Sequence, residues 1–161
     1  MNKKIIIRRA TIKDVRKIAK LVGVFAREGR MLFRKEADIV LNLRDFFVAV
    51  KPRYRGILGC VSLHIYTDRL SEIKALAVKK RFQTDGVGRK LVQRCIREAK
   101  DLDIPKVFAL TYVPSFFQKQ GFVESDKNLL PYKIWEECEK CSKKNHCTEN
   151  CLVYSLKKNS K

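Results

Sequence analysis

Apolar residues recur along the N-terminal part of the chain with spacings that predict a strand followed by two helices. The β-branched run Ile5–Ile7 predicts the strand. Apolar residues at three- and four-residue spacing then predict a helix from Thr11, a residue suited to an N-cap, to about Ala26. A shorter helix is expected from about Lys35 to Leu43. The apolar stripe of the first helix consists of Ile12, Val15, Ile18, Leu21, Val22 and Phe25.

The middle of the chain is predicted to contain three strands and a long helix. Two apolar runs, Asp45–Val50 and Ile57–Tyr66, are joined by a short segment with proline and glycine, which predicts an antiparallel hairpin. Glu72–Val78 is predicted to be the next strand. An amphipathic pattern then predicts a helix that begins near Val87 and ends before Ile104-Pro105.

Shorter elements are predicted in the C-terminal part. Val107–Thr111 has the composition of a strand, and Pro114 fits the first turn of a short helix over Ser115–Gln120. Phe122–Val123 and Leu152–Leu156 are predicted to be small strands. Because no repeat or low-complexity linker divides the chain, we expect one domain over residues 1–161, with residues 129–161 forming a Cys-rich C-terminal extension packed on it.

A glycine-bearing segment, Gln83–Gly88, lies between the predicted strand Glu72–Val78 and the long helix. Backbone N–H groups converge at a helix N-terminus, and the helix dipole favours negative charge there. Gly86 and Gly88 would let the backbone approach a phosphate without a Cβ in the way. The segment therefore predicts an anion site; the alternative is an ordinary tight turn.

The charge balance is strongly basic, with 36 Lys and Arg against 17 Asp and Glu and a formal net charge of +19. Such a surface attracts phosphates, carboxylates or nucleic acid, although a solvated lysine-rich surface is an equally good explanation. The N-terminal apolar run is too short for a signal peptide, and no run approaches a membrane span. We therefore expect a cytoplasmic protein without a membrane partner.

Four passages, together with the order β-α-α-β-β-β-α-β-α-β, resemble the GNAT superfamily of acetyl-CoA-dependent N-acetyltransferases. The resemblance implies an α+β, three-layer α/β fold in which helices flank a central mixed, mostly antiparallel sheet. It also implies that the fourth and fifth strands splay apart to admit acetyl-CoA. The passages are Leu76–Val78, Gln83–Gly88, Val107–Thr111 and Phe116–Phe122.

Within the superfamily the chain is most similar to the acetyltransferase domain of N-acetylglutamate synthases in their short, stand-alone form. This implies acetylation of the α-amine of L-glutamate, the first step of arginine biosynthesis, with a small-molecule amino acid as partner. The alternatives are another amino acid, a polyamine or a protein N-terminus as acceptor, and a basic nucleic-acid-associated protein that is no enzyme. No nucleic-acid motif is present, and a homodimer is left open. The similar strings are Met31–Arg34, Asp45–Ala49, Gly59–His64, Glu72–Val78 and Leu130–Trp135.

The resemblance also implies how acetyl-CoA is held. Its pantetheine arm would pair with the backbone of one strand, and Phe117, which replaces the tyrosine acid of many relatives, would pack around the arm. Its pyrophosphate would lie over the glycine segment, with Lys79, Lys80, Arg81 or Arg89 supplying positive charge. The cofactor-binding residues expected are Leu76, Ala77, Val78, Gln83, Thr84, Asp85, Gly86, Val87, Gly88, Arg89 and Phe117.

The same resemblance implies the reacting groups. Acetyl transfer requires a neutral amine, and Glu72 matches the glutamate that serves as base in the synthases, against the alternative of a strand-end surface glutamate. Thr111 is the candidate proton donor or water-holder, with Tyr112 as rival. Arg34 matches an arginine that binds glutamate. Lys133, or alternatively Lys127, is the candidate for a second cation where the longer synthases have arginine.

Four cysteines crowd the C-terminal part at Cys138, Cys141, Cys147 and Cys151, with His146 alongside. Four thiolates within fourteen residues are able to surround a structural Zn²⁺ or hold an iron–sulfur cluster. Reduced structural thiols and a pair of local disulfides are the competing interpretations, because the spacing matches no standard zinc ribbon. A metal bound here would have a structural role in holding the C-terminal extension together, and it would have no open coordination position for catalysis.

Overall fold

The computed structural model of the chain describes residues 4–131, 134, 136, 139 and 148–156. These residues divide by their contacts into two units. The first takes its residues from Met1–Leu63 and Lys74–Glu98, and the second takes its residues from His64–Ile73 and Ala99–Lys161. The single domain over 1–161, with its extension over 129–161, stays a prediction.

Each of the four predicted helices is present among these residues, with ends that differ by a few positions. The first begins after a 3-10 turn at Ile12–Asp14. The second is shorter than predicted, because the backbone and side-chain N–H groups of Asn42 both donate to the Asp38 carbonyl and close the helix. No described helix has the length and apolar character that crossing a bilayer requires. The helices are α1 (Val15–Arg27), α2 (Glu36–Leu41), α3 (Val87–Asp101) and α4 (Pro114–Gln118).

The strands form a seven-stranded sheet in the order β1-β2-β3-β4-β5-β7-β6. Four pairs of neighbouring strands are antiparallel: β1/β2, β2/β3, β5/β7 and β6/β7. Strands β4 and β5 are parallel, and their pairing runs from Leu70 opposite Lys106 to Ile73 opposite Ala109. The predicted mixed, mostly antiparallel sheet with helices is therefore confirmed. The strands are β1 (Ile6–Arg9), β2 (Phe46–Val50), β3 (Gly59–Thr67), β4 (Leu70–Val78), β5 (Lys106–Thr111), β6 (Val123–Ser125) and β7 (Asn150–Ser155).

The first unit is built around the apolar stripe of α1. Ile18, Val22 and Phe25 are buried against residues of β2, β3 and β4, as the three- and four-residue spacing predicts. The rest of this cluster of buried residues consists of Val15, Leu21, Ile39, Phe46, Val48, Ile57, Cys60 and Ala77.

The entry to α1 is fixed by Asp14, whose carboxylate accepts hydrogen bonds from the Thr11 N–H at 2.8 Å and from both terminal nitrogens of Arg8 at 2.7 and 3.1 Å. Asp14 is only 1% exposed. Burial alone would raise the pKa of this carboxyl, but the hydrogen bonds from Arg8 and Thr11 and the charge of Arg8 outweigh it and hold the pKa below its ordinary value. The predicted N-cap at Thr11 thus works through Asp14.

A second ion-pair cluster covers β2. Glu98 of α3 pairs with Arg9 and with Arg94, the latter at 2.9 Å. The guanidinium groups of Arg9 and Arg94 lie over the Phe47 ring, 5.1 and 4.4 Å from its centroid. Burial opposes ionisation of Glu98, but the two arginines lower its pKa below the ordinary value. The Phe47 ring therefore contacts both Arg9 of β1 and Arg94 of α3, which lie near the two ends of the first unit's sequence.

The second unit has its own apolar cluster on one face of β5 and β7. Phe108, Ile134 and Cys151 are buried in it. A separate aromatic row joins α4 to β7, because consecutive rings lie 5.1, 5.2 and 5.3 Å apart from Phe116 through Phe117 and Phe122 to Tyr154. The partly buried residues of the apolar cluster are Tyr66, Leu70, Leu110, Leu130 and Val153.

Candidate active site

The end of β4 leads through a tight helical turn into α3. Lys80–Asp85 form a 3-10 helix rather than an open loop, and the buried Phe82 anchors it with an N–H donated to the Lys79 carbonyl at 2.8 Å. Gly86 follows with φ +75°, in the left-handed region that favours glycine, and α3 begins at Val87. The strand, glycine turn and helix N-terminus predicted from the sequence are all present.

The turn at Gly86 leaves free space on the side where a Cβ would lie. A Cβ built on Gly86 would meet no described heavy atom within 4 Å. The N–H of Lys90 donates to the Gly86 carbonyl at 3.1 Å, so the N–H groups of Val87, Gly88 and Arg89 precede the helical ladder. Such N–H groups beside an uncovered glycine suit a phosphate or diphosphate.

Gln83 stabilises this turn from within. Its Nε2 donates to the Val78 carbonyl at 3.1 Å, which ties the turn to the last residue of β4. The amide of Gln83 is therefore engaged with the strand, and the helix N-terminus is the better anion donor. Of the other residues predicted to bind the cofactor here, Leu76 is partly buried, Ala77 and Val78 are buried, and Thr84, Asp85 and Arg89 are exposed.

Three of the four cations nominated from the sequence contact specific partners. Lys79 Nζ donates to the Tyr54 hydroxyl at 3.1 Å, and the Arg81 guanidinium lies 4.9 Å from the centroid of the Tyr54 ring. The hydrogen bond from Lys79 lowers the pKa of Tyr54 below its ordinary value. Lys80 Nζ lies 2.5 Å from a carboxylate oxygen of Glu28. Two of these cations thus gather at one tyrosine beside the turn.

Glu72 lies on β4 with a buried side chain, 6% exposed, so the alternative of a surface glutamate is wrong. The register places it opposite Phe108, a buried residue of the second unit's apolar cluster. The burial fits a residue that exchanges a proton with a substrate, and the role of catalytic base stays a prediction.

Tyr66 of β3 is the neighbour of Glu72 that the sequence did not single out. Its hydroxyl donates to Glu72 Oε2 at 2.6 Å, the length of a charge-assisted O–H···O⁻ bond. Its ring stacks on Phe108 with centroids 6.0 Å apart, and the His64 ring meets it edge-on at 4.8 Å. The turn at Asp68-Arg69 could have indicated this contact from the sequence, because a turn there brings together the strand ends that carry Tyr66 and Glu72.

Cys151 is the one predicted metal ligand among the described residues. It lies on β7 opposite Leu110, is 3% exposed, and packs in the apolar cluster with Phe108. Burial and the negative charge of Glu72 raise the pKa of its thiol to about 11, against the opposing charge of Lys127. No set of three or more His, Cys, Asp and Glu side chains in the described part of the chain is placed to hold a metal ion. Cys138, Cys141 and Cys147 lie outside the described residues.

Thr111 and Phe117 have structural partners in the second unit. Thr111 is 7% exposed, and its Oγ1 accepts the Val113 N–H at 3.0 Å at the turn before α4. By strand alternation Thr111, three residues beyond Phe108, points to the face opposite Phe108. Phe117 is 3% exposed within the aromatic row. The roles of donor and of pantetheine contact stay predictions.

Of Arg34 and Lys133, the preferred candidates for binding the acceptor, only Arg34 lies among the described residues. Arg34 is partly buried in the segment between α1 and α2, within the first unit, and Lys133 lies outside the described residues. A cavity of about 370 Å³ opens beside β6 and the start of β7. Because its described lining carries the carboxylates of Glu124, Asp126 and Glu149, the cavity is unsuited to a dicarboxylate.

Comparison with known proteins identifies the family. Residues 42–124 match the family model of the acetyltransferase (GNAT) domain. An uncharacterized N-acetyltransferase from Chlorobaculum tepidum is 36% identical over 151 residues, which cover 93% of this chain and 96% of that protein. The chain therefore belongs to the GNAT acetyltransferase family, and the predicted acyltransferase class is confirmed.

The predicted similarity to amino-acid acetyltransferases is also confirmed. One from Mycobacterium tuberculosis is 32% identical over 134 residues, covering 82% of this chain and 76% of that protein. A solved M. tuberculosis structure, in complex with CoA and a second ligand, matches with a TM-score of 0.81 and 27% identity over 94% of this chain and 99% of that one. N-acetylglutamate synthase from Neisseria gonorrhoeae, solved with coenzyme A and N-acetyl-glutamate, shares the fold with a TM-score of 0.86 at 24% identity; the match covers 98% of this chain but 36% of the synthase.

Proposed function

We propose that the chain transfers the acetyl group of acetyl-CoA to the α-amine of L-glutamate. The observation that carries the proposal is the buried carboxylate of Glu72 on β4, the strand that continues through Leu76–Val78 into the turn at Gly86. Support also comes from the relatives named amino-acid acetyltransferases and from a solved relative that binds CoA. Arginine biosynthesis is the pathway that this activity would serve.

The residues around Gly86 fit the phosphates of CoA. A Cβ on Gly86 would meet no described atom within 4 Å, and the N–H groups of Gly88 and Arg89 lie in the first turn of α3, before the helical hydrogen bonds begin, as a diphosphate site requires. The backbone of Leu76–Val78 would hold the pantetheine arm. When bound, acetyl-CoA supplies an acetyl thioester whose carbonyl carbon is open to attack by an amine.

The chain's own residues would manage the protons and the acceptor. Glu72 would take a proton from the ammonium group of glutamate, directly or through a water, so that the neutral amine forms the new C–N bond as the C–S bond breaks. As the amide forms, its nitrogen loses a second proton, and Thr111 is proposed to pass that proton to the departing thiolate through its hydroxyl or a water that it holds. Arg34 would bind a carboxylate of glutamate, with Lys133 as the proposed second cation.

An acceptor screen tests this function. Release of free CoA thiol would be measured with glutamate, glutamine, aspartate, a diamine and a short peptide in turn. We expect turnover to be fastest with glutamate, and turnover with the diamine or peptide alone would contradict the proposed acceptor. Replacing the base with Glu72→Gln should lower kcat by about 10²- to 10⁴-fold. Glu124→Gln, at an exposed position on β6, is the matched control.

The acceptor residue is tested separately. Arg34→Ala should raise the KM for glutamate by about 10- to 100-fold, the loss of one hydrogen-bonded ion pair, with little change in the KM for acetyl-CoA. Lys35→Ala removes the same charge from the adjacent exposed residue and should leave both KM values unchanged. Equal effects of the two substitutions would mean that general surface charge, and not an Arg34 contact, attracts glutamate.

A further inference from the structure

We propose that Tyr66 is the positioning residue of the catalytic carboxylate, and that its hydroxyl fixes the orientation in which Glu72 receives the proton of the acceptor. This inference rests on the proposed function, because it assigns Tyr66 a role through Glu72. The carrying observation is the 2.6 Å hydrogen bond from the Tyr66 hydroxyl to Glu72 Oε2.

The bond is suited to hold a carboxylate ion. A carboxylate is acceptor-only, so the Tyr66 hydroxyl donates this hydrogen bond and Glu72 accepts it. Burial disfavours the charged carboxylate, and a hydrogen bond to its charged form favours it. Tyr66 thereby supplies part of the stabilisation that water gives an exposed glutamate.

The tyrosine is itself held rigidly enough to orient its partner. Its ring stacks on Phe108 with an interplanar angle of 28°, and the His64 ring contacts it at 82°. Phe108 is fully buried, and it lies opposite Glu72 in the strand register. One buried phenylalanine therefore supports both the tyrosine ring and the strand segment that carries the carboxylate.

The geometry assigns the tyrosine a supporting role and leaves the chemistry to Glu72. The hydroxyl donates to one carboxylate oxygen, Oε2, and it makes no covalent change in the proposed reaction. During the reaction Glu72 would gain the ammonium proton while Tyr66 retains its own. Losing the hydroxyl would leave the carboxylate present but less well oriented, which costs turnover more than binding.

The experiment is a double-mutant cycle on Tyr66→Phe and Glu72→Gln, measured as kcat, as KM for acetyl-CoA and glutamate, and as calorimetric Kd for CoA. We expect Tyr66→Phe to lower kcat by about 10-fold or more, the equivalent of one hydrogen bond to a charged group, with the KM for acetyl-CoA and the Kd for CoA within twofold of the unsubstituted protein. In the Glu72→Gln background the same substitution should change kcat by less than about twofold, because the carboxylate it orients is gone.

Tyr154→Phe removes another hydroxyl from the second unit, at the end of the aromatic row, and is the matched control. It should leave kcat unchanged, and thermal unfolding of all variants should show that each is folded. A kcat for Tyr66→Phe within twofold of the unsubstituted protein, while Glu72→Gln is impaired, would overturn the inference about Tyr66 alone. If Tyr66 only stabilised the fold, Tyr66→Phe would lower kcat by the same factor in the unsubstituted protein and in the Glu72→Gln variant. A fully active Glu72→Gln variant would refute the proposed base itself.

Discussion

Gly59, the first residue of β3, lies where the first unit has no room for a side chain. A Cβ at this position would come within 2.8 Å of the Ala77 carbonyl oxygen, 3.1 Å of a Leu91 methyl carbon and 3.2 Å of a Val78 methyl carbon. The methyl groups are able to give way, but the carbonyl belongs to the backbone of β4. We therefore expect Gly59→Ala to force β4 away from β3 at Ala77.

The expected cost of Gly59→Ala is about 1–3 kcal/mol in the free energy of unfolding, the usual range for adding a methyl group to a well-packed core. Because Ala77 belongs to the backbone segment proposed to hold pantetheine, we also expect the Kd for CoA to rise by about fivefold, the equivalent of about 1 kcal/mol. Urea unfolding followed by circular dichroism gives the first quantity, and titration calorimetry with CoA gives the second.

Gly23 of α1 provides a control substitution that should raise the free energy of unfolding, whereas Gly59→Ala should lower it. A Cβ there would meet its nearest atoms, in the side chains of Arg27 and Phe33, at 3.5 to 3.7 Å, which is ordinary van der Waals contact. Gly23→Ala should therefore stabilise the protein by about 0.5–1 kcal/mol through helix propensity, without any change in CoA affinity. If Gly59→Ala also left the urea midpoint unchanged, the close packing of β3 on Ala77 would be refuted.

Three further predictions concern the first unit. Asp14→Asn should cost about 1.5–3 kcal/mol at neutral pH, because Arg8 loses its charged partner. Since the folded-state pKa values of Asp14 and Glu98 are lowered, the stability they contribute is present above their ordinary pKa values near roughly 4 and is lost as the pH falls through the lower folded values. The free energy of unfolding should therefore decrease less steeply for Asp14→Asn than for the unsubstituted protein as the pH falls below about 4. The same pH dependence in both proteins would contradict the ion pair. Glu98→Gln should cost about 1–2 kcal/mol in urea unfolding, and a loss below about 0.5 kcal/mol would mean that its two arginines are stabilised by other contacts. Burial raises the pKa of the Cys60 thiol to about 12, so mass spectrometry should find Cys60 alkylated only after unfolding, and rapid native labelling would refute its burial.

The elements of the fold were predictable because their signals are local. The apolar stripe of α1, the hairpin between β2 and β3 and the glycine turn before α3 each depend on residues close together in sequence, and each is present in the structure. The errors at helix ends have local causes as well, such as the closure of α2 by Asn42.

The environment of the candidate base could not be predicted in the same way. The burial of Glu72 depends on which strand pairs with β4 and on which face the apolar cluster covers, and neither is encoded in the residues next to it. The Tyr66 contact depends on the shape of the β3–β4 connection. The hydrogen bond from Gln83 to Val78 likewise depends on the 3-10 turn, a conformation that the sequence pattern did not predict.

Ala75 shows how the backbone of β4 is preorganised near the proposed pantetheine segment. It has φ +51°, a left-handed conformation that costs a residue with a Cβ about 1–2 kcal/mol and that a glycine would adopt freely. The surrounding packing must hold it there, since Ala75 packs against the first unit's apolar cluster and its carbonyl accepts a hydrogen bond from the Cys60 thiol at 3.5 Å. A conformation fixed by packing is less mobile than one permitted by glycine. The backbone at Leu76–Val78 is therefore set by the core beneath it, and for this reason a single methyl group at Gly59 should be felt in CoA affinity.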